Sequence, residues 1–345
     1  MDLQREMKEY PILIHPSVDI LDSTKITEYM TCRRKFFLNH VLGWRKPSNH
    51  LVFGKCVHAA MEILYTKGYS MDAIKEAMLK FYELYEQSYP DSSEWEEYAP
   101  KTPNRFSQML ISYMAHYQNE DKRYTIASME GKKLVEIAGN CMISDNHSIA
   151  FRMDTVFQTR EGRLFSLEHK TAQGAYMIRE QHEFSFQVFM YNFVLAMWFG
   201  IENVDGVVIN NLIFKKTKSG GPSERNKGIE AHFEFIRLRY KKTEKDLNYW
   251  LTFANSICDE IEREFHFFAQ VDKKENNVMM AFPCNMAACT KFNGCEYKSI
   301  CMYLFNPLRE EMYGPPPGFV QEFWNPLEEE SNVTVEVSED GISTK

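Results

Sequence analysis

The sequence contains no uninterrupted apolar run of the roughly 18 residues that a membrane-crossing helix needs, which argues against an integral membrane protein. The nearest stretch, Phe184 to Ile201, is broken by Gln187 and Asn192 and reads as a buried helix. The first twenty residues alternate charged and apolar groups and lack the basic start, apolar middle and cleavage site of a secretory leader, so a cytoplasmic location is expected. Positive charge is also scarce. Forty Lys and Arg stand against 48 Asp and Glu, a formal −8, the wrong sign for binding nucleic acid through net charge alone. No internal repeat is visible, so solenoids and propellers are set aside.

What is present is a globular composition. Of 345 residues, 44% are hydrophobic and 14% aromatic, enough to bury a core in one large domain or two modest ones. The charge is unevenly spread. From Asn325 to Lys345 six acids face one base, whereas from Leu212 to Lys245 ten bases face four acids. That second stretch, which includes Lys215, Lys216 and Lys218, reads either as a solvated loop and strand edge or as a local phosphate-binding track.

Start and stop signals predict helices over 23–43, opened by Ser23 or Thr24 as N-cap and closed by Gly43, and over 50–68, closed by Gly68. Further helices are predicted near 71–88, 104–119, 180–199 and 243–268. Short alternating runs between 123 and 170, and near 204–216 and 231–240, read as strands. Residues 1–22 form an extension, and the Pro-rich, acidic segment 311–345 is expected to be loose.

The stretch Phe151–Gln173, FRMDTVFQTREGRLFSLEHKTAQ, reads as a hairpin. With its turn centred on Glu161, facing positions sum to 322, and Asp154 then faces Glu168. Facing like charges destabilise a sheet. They become favourable when a hard divalent cation lies between them, since Mg2+ binds through one or two carboxylates plus water and phosphate oxygens. Lys170 follows on the same strand face, placed to orient a water or to stabilise charge on an attacked phosphate. The plainer reading is a solvated surface hairpin. If the cation reading holds, Asp154→Asn is expected to raise metal-free stability slightly. His58 shares a helical face with Gly54 and Glu62; such a residue is more often structural than a metal ligand. Gln187 and Tyr191, at i and i+4 of an apolar helix, are more often satisfied core groups than site residues.

Eight cysteines occur. Cys56, Cys141 and Cys258 lie in apolar settings and read as buried fillers. Cys284, Cys289, Cys295 and Cys301 fall within eighteen residues, and without a secretory leader a disulfide reading is poor. Four thiolates suit structural zinc or an iron–sulfur cluster, but the spacings fit the usual tight zinc pairs badly. Cys32 is a fifth candidate from the N-terminal region.

Taken in order, these segments resemble RecB-type nucleases of the PD-(D/E)XK superfamily, in the iron–sulfur branch that includes AddAB-type helicase–nucleases, CRISPR-associated RecB-like exonucleases and phage-encoded relatives. The likeness runs from Ser23 to Cys301. YMTCRRKFFL is similar to the family's opening segment, which implies Cys32 as a remote cluster ligand. FGKCVHAAME is similar to the Gly-x-x-x-His motif and implies His58 as a metal ligand. Asp154 matches the acidic residue of the second motif, Glu168-His169-Lys170 the Glu-x-Lys of the third, and Gln187 and Tyr191 the Gln-x-x-x-Tyr motif associated with the DNA strand. Cys289, Cys295 and Cys301 match the C-terminal cysteine group, with Cys284 as the alternative to Cys32.

The resemblance implies an α/β fold with a restriction-endonuclease-like core, a mixed central sheet flanked by helices, carrying helical insertions and a C-terminal Cys-rich iron–sulfur staple. The nuclease domain would span 23–310. His58, Asp154, Glu168 and the His169 carbonyl would hold Mg2+ or Mn2+, with Lys170 assisting hydrolysis. Cys32, Cys289, Cys295 and Cys301 would hold a [4Fe-4S] cluster. The implied partners are single-stranded or duplex-end DNA and a helicase or recombination protein, with no membrane. Two rival readings are a catalytically silent DNA- or helicase-binding module and a zinc-stapled interaction protein; the intact His58, Asp154, Glu168 and Lys170 set speaks against a silent copy.

Overall fold

The fold is described from a computed structural model over residues 15–174, 178–215, 232–271, 279–290, 294–303, 306–308, 314–328, 331, 333–338 and 341–344. Lys216 and Lys218 lie outside the described residues. The chain forms two compact units, each discontinuous in sequence. One comprises Met1–Pro47, Gly139–Phe151 and Lys245–Glu330; the other comprises Ser48–Ala138, Arg152–Glu244 and Ser331–Lys345.

The second unit holds most of the sheet. Its helices α1 (Asn49–Lys67), α2 (Met71–Ser88) and α3 (Pro103–Asp121) precede the strands. Phe53, Val57, Ala60, Met61 and Leu64 recur at helical spacing on α1 and are buried. Gly68 ends this helix at φ +84°. Phe81 of α2 stacks on Phe106 of α3 at 3.9 Å between centroids, and both helices contribute to one core with Phe157, Phe165, Leu167, Val208 and Leu212.

The strands are β1 (Val135–Met142), β2 (Ser148–Gln158), β3 (Leu164–Ala172), β4 (Val204–Phe214), β5 (Phe233–Tyr240), β6 (Val333–Ser338) and β7 (Gly341–Thr344). Their order is β7-β6-β1-β2-β3-β4-β5, with Thr125–Ile126 pairing beside β2. β2 and β3 are antiparallel, β3 and β4 parallel, and β4 and β5 antiparallel. The sheet is mixed and flanked by helices, as expected. Parallel pairing of β3 with β4 requires a long crossover, supplied by α4 (Ile178–Glu183) and α5 (Phe186–Phe199). A bulge shifts the β3–β4 register where Gly206 sits at φ +100°, and a side chain there would collide with the Tyr240 carbonyl.

Two expectations change here. The helix predicted over 180–199 is interrupted before Phe186, because Ser185 is extended at ψ 130° and acts as N-cap. The tail expected to be loose instead supplies β6 and β7, an antiparallel pair added beside β1. Val333, Val335 and Val337 alternate with Thr334, Glu336 and Ser338, and the valines are buried. This period of two outweighs the acidic composition that suggested disorder.

In the first unit, the helix predicted over 23–43 is broken. It runs Ser23–Thr31, and its N-cap is Asp22, whose Oδ1 accepts the Lys25 N–H at 2.8 Å, rather than Ser23 or Thr24. Cys32 is extended (φ −163°, ψ 111°), and a short helix, Arg33–Phe36, follows. The helix Glu244–Gln270 buries Leu247, Trp250, Ala254, Cys258, Ile261, Phe265 and Phe268. Phe36, Phe37, Phe265 and Phe268 converge on Phe282, and Arg33 bridges Glu260 and Glu264.

Candidate active site

The hairpin register is the expected one. Thr155 pairs with Leu167, Val156 with Ser166, Phe157 with Phe165 and Gln158 with Leu164. Asp154 and Glu168 are the next positions, beyond the last paired rung. Here Asp154 Oδ2 accepts the backbone N–H of His169 at 2.7 Å. Asp154 Oδ1 lies 3.2 Å from His58 Nδ1, contributed by α1.

A third acidic residue completes the group. Glu136 of β1, Asp154 and His58 each offer a ligand atom, and all three atoms lie within 4.8 Å of one another, close enough to hold a metal ion. Sequence reasoning missed Glu136; its one signal was an acid inside the apolar run LVEIAG. It stands at φ +49°, a left-handed conformation in a buried strand, and such strain concentrates at functional sites. Arg152 Nε donates to its Oε2 at 3.1 Å.

The four ionisable ligand candidates are set against one another. Burial opposes ionisation of Asp154, but the charge and hydrogen bond of His58, then His169, hold its carboxyl well below the usual range. Burial and then the Asp154 charge push Glu136 up to about 8. The same two causes, in the same order, raise Glu168 well above an ordinary glutamate, with Lys170 opposing. His58 is raised: burial lowers it, and the Asp154 charge outweighs that. Glu168 is only 2% exposed, and its Oε1 accepts no hydrogen bond among the described residues. A buried carboxylate oxygen without a donor is costly, and a cation is the natural partner for it.

His169 is buried, and burial lowers its imidazole to about 3. Gln187 Nε2 donates to the Tyr191 hydroxyl at 2.9 Å, and that hydroxyl donates to the Arg152 carbonyl. Tyr191 is buried, so its hydroxyl ties α5 to β2 two residues before Asp154, while the half-buried Gln187 lies nearer solvent. Burial and then the Lys170 charge lower His182 of α4. Lys215 follows β4, four residues past Asn211, the register partner of Lys170, about 13 Å along the strand. Its ammonium is 3.0 Å from Glu234.

The cysteines lie in the first unit. Burial and the nearby Cys295, Cys32 and Cys284 push Cys301 up to about 12, against Arg34, and Cys289 neighbours Cys295. Cys32 is therefore brought beside the C-terminal group. Its sulfur accepts the Asn285 N–H at 3.3 Å. Among the described residues, no three of these sulfurs lie within 4.8 Å of one another.

His58, Glu136 and Asp154 could together hold a metal ion, with the buried Glu168 and the Lys170 charge acting on the same carboxylates. The chain belongs to the PD-(D/E)XK nuclease superfamily, whose family pattern matches residues 23–302; its members are generally metal-dependent nucleases. A search of curated proteins found no match. A solved structure described as "Crystal structure of SSO0001" is similar over 74% of this chain and 83% of its own, at 10% identity and a TM-score of 0.29. That likeness is too loose to bear on function.

Proposed function

We propose that the protein is a Mg2+- or Mn2+-dependent deoxyribonuclease, acting as an exonuclease on single strands or ends in recombination, repair or phage- or CRISPR-related DNA processing. The observation that carries this reading is the His58–Glu136–Asp154 ligand set together with the donorless Oε1 of Glu168. Asp154, Glu168, His58 and the His169 carbonyl would hold the cation, and Glu136 stands within reach of it. A bound divalent cation supplies Lewis acidity toward the phosphate and lowers the pKa of a coordinated water.

The chain's own groups do the rest. His58 orients Asp154 through Oδ1, and the His169 N–H fixes Oδ2, so the carboxylate has little freedom. Lys170 presents a positive charge beside Glu168, placed to orient the attacking water and to stabilise charge developing on the phosphate. Gln187 and the stretch from Lys215 through Lys216 and Lys218 would engage the DNA strand, and a helicase or recombination protein would deliver ends.

We further assign Cys32, Cys289, Cys295 and Cys301 to a [4Fe-4S] cluster with no redox part in cleavage. Their juxtaposition with Cys284 and the N–H donated to the Cys32 sulfur support such a centre. The test is digestion of end-labelled single- and double-stranded DNA with Mg2+ or Mn2+, with Lys170→Ala as control. Loss of cleavage in that variant with an unchanged fold is expected; full activity in it would refute the site.

A further inference from the structure

His169, the middle residue of Glu168-His169-Lys170, is one end of a row running across three strands. The parallel register sets His169 beside Asn210 of β4, and the antiparallel register sets Asn210 beside Arg237 of β5. Asn210 Nδ2 lies 2.8 Å from His169 Nδ1 and 2.8 Å from the Tyr113 hydroxyl. Arg237 Nε donates to Asn210 Oδ1 at 3.4 Å.

The chemistry of these groups allows one assignment of protons. A guanidinium only donates, so the amide oxygen of Asn210 must face Arg237, and the amide nitrogen must face His169. An amide nitrogen only donates, so Nδ1 of His169 must be the bare acceptor, leaving the proton of the neutral ring on Nε2, a buried atom with no acceptor among the described residues whose desolvation the Asn210 bond must outweigh. The network beyond agrees in direction. Tyr113 receives hydrogen bonds from Asn210 and, at 2.7 Å, from Arg237. It is left to donate to Tyr65 at 2.6 Å, and Tyr65 donates to Asp121 Oδ2 at 3.2 Å. Arg237 closes the circuit on the same carboxylate at 3.0 Å and lies 3.6 Å over the Tyr117 ring. Tyr65 also stacks on the His169 ring, with centroids 5.3 Å apart.

We propose that Arg237 and Asn210 are positioning residues that lock His169 as its Nε2–H tautomer and thereby hold the 168–170 main chain against Asp154 in the geometry that binds the cation. The inference rests on the active-site reading above and deepens it. The link is the His169 peptide, whose N–H is already bound to Asp154 Oδ2: fixing the ring fixes that peptide and the carbonyl after it. Partners that orient ligating groups from behind typically carry tenfold to a hundredfold of metal affinity or activity.

The test is Asn210→Asp, nearly isosteric and with Arg237 at hand to balance the new charge. A carboxylate only accepts, so it reverses the bond and draws the His169 proton to Nδ1. Histidine-selective NMR of the full protein, with His169→Gln to assign the signal, reads the tautomer without substrate. Titration calorimetry with MnCl2 reads the affinity. Expected are the Nε2–H tautomer in the unaltered protein, its reversal in Asn210→Asp, and roughly tenfold or greater loss of Mn2+ affinity. Cleavage, where measured, should lose kcat with KM little changed. Arg237→Lys, which frees the amide to flip, should give mixed tautomers and an intermediate loss, and it serves if Asn210→Asp does not fold. An Nδ1–H tautomer in the unaltered protein, or unchanged Mn2+ affinity despite a reversed tautomer, would overturn the inference. Failure to cleave DNA, with these binding results intact, would overturn the nuclease reading alone.

Discussion

Removing the charge of Glu168 should stabilise the metal-free protein, whereas removing that of Asp154 should not. The carboxyls of Glu136 and Glu168 are raised by burial and by the Asp154 charge. Such a group binds an extra proton when folded, so stability is greatest below its unfolded value near 4.5 and falls as pH rises through the folded value. For Glu136, raised from 4.5 to about 8, the loss is at most about 5 kcal/mol by pH 9, of which about 3 kcal/mol has gone by pH 7. Glu168 adds to it in the same direction. Urea unfolding in chelator from pH 5 to 9 should therefore show declining stability. Glu168→Gln should flatten the decline and raise stability at pH 8, and Mn2+ should offset it in the unaltered protein by displacing the protons. Asp154 is already compensated by His58 and the His169 N–H, so Asp154→Asn should cost about 2 kcal/mol. A flat or rising profile in chelator, or Asp154→Asn outperforming Glu168→Gln, would refute this account.

Protein purified without oxygen should be brown, with roughly four irons per chain. Cys32→Ser should lose iron as fully as Cys295→Ser, while Cys284→Ser keeps it; metal analysis decides, and the opposite pattern would remove Cys32 from the centre. In the first unit, burial opposes ionisation of Glu28, but the His40 hydrogen bond and charge hold it at about 2. The roughly 3 kcal/mol this contributes is present above pH 4.5 and lost as pH falls through 2. Glu28→Gln should flatten the acid limb of unfolding by that amount, and an unchanged limb would discount the pair.

The parts of the site legible in the sequence were those set by short-range rules. The hairpin centred on Glu161 fixed the register that brings Asp154 to the brink of Glu168, and the α1 face carried His58 to meet it. What stayed hidden depends on distant chain. Glu136 comes within reach of His58 and Asp154 because β1 lies beside β2, a pairing no local pattern encodes, and its left-handed backbone has no signature in a strand sequence. The difference between the two facing carboxylates is equally hidden in the sequence: Asp154 has a histidine and an N–H, and Glu168 has neither bond. The break at Cys32 was invisible because RRKFF continues with good helix formers, while the extended residue is fixed by its tertiary setting. Asn210 and Arg237 gave no signal at all, since each is ordinary alone and acquires its role only abreast of His169.

The hairpin of β6 and β7 has a bearing on self-association. β1 carries Val135, Ile137 and Ala138, and with an open side it would offer a row of unpaired amides and carbonyls next to apolar side chains, a template on which a second copy could polymerise. β6 occupies that side, and the border of the sheet passes to β7, which is only four residues long. Short borders give an incoming strand little to pair with. The segment whose composition suggested a loose tail would then act as a stopper on the sheet, limiting polymerisation by closing its edge.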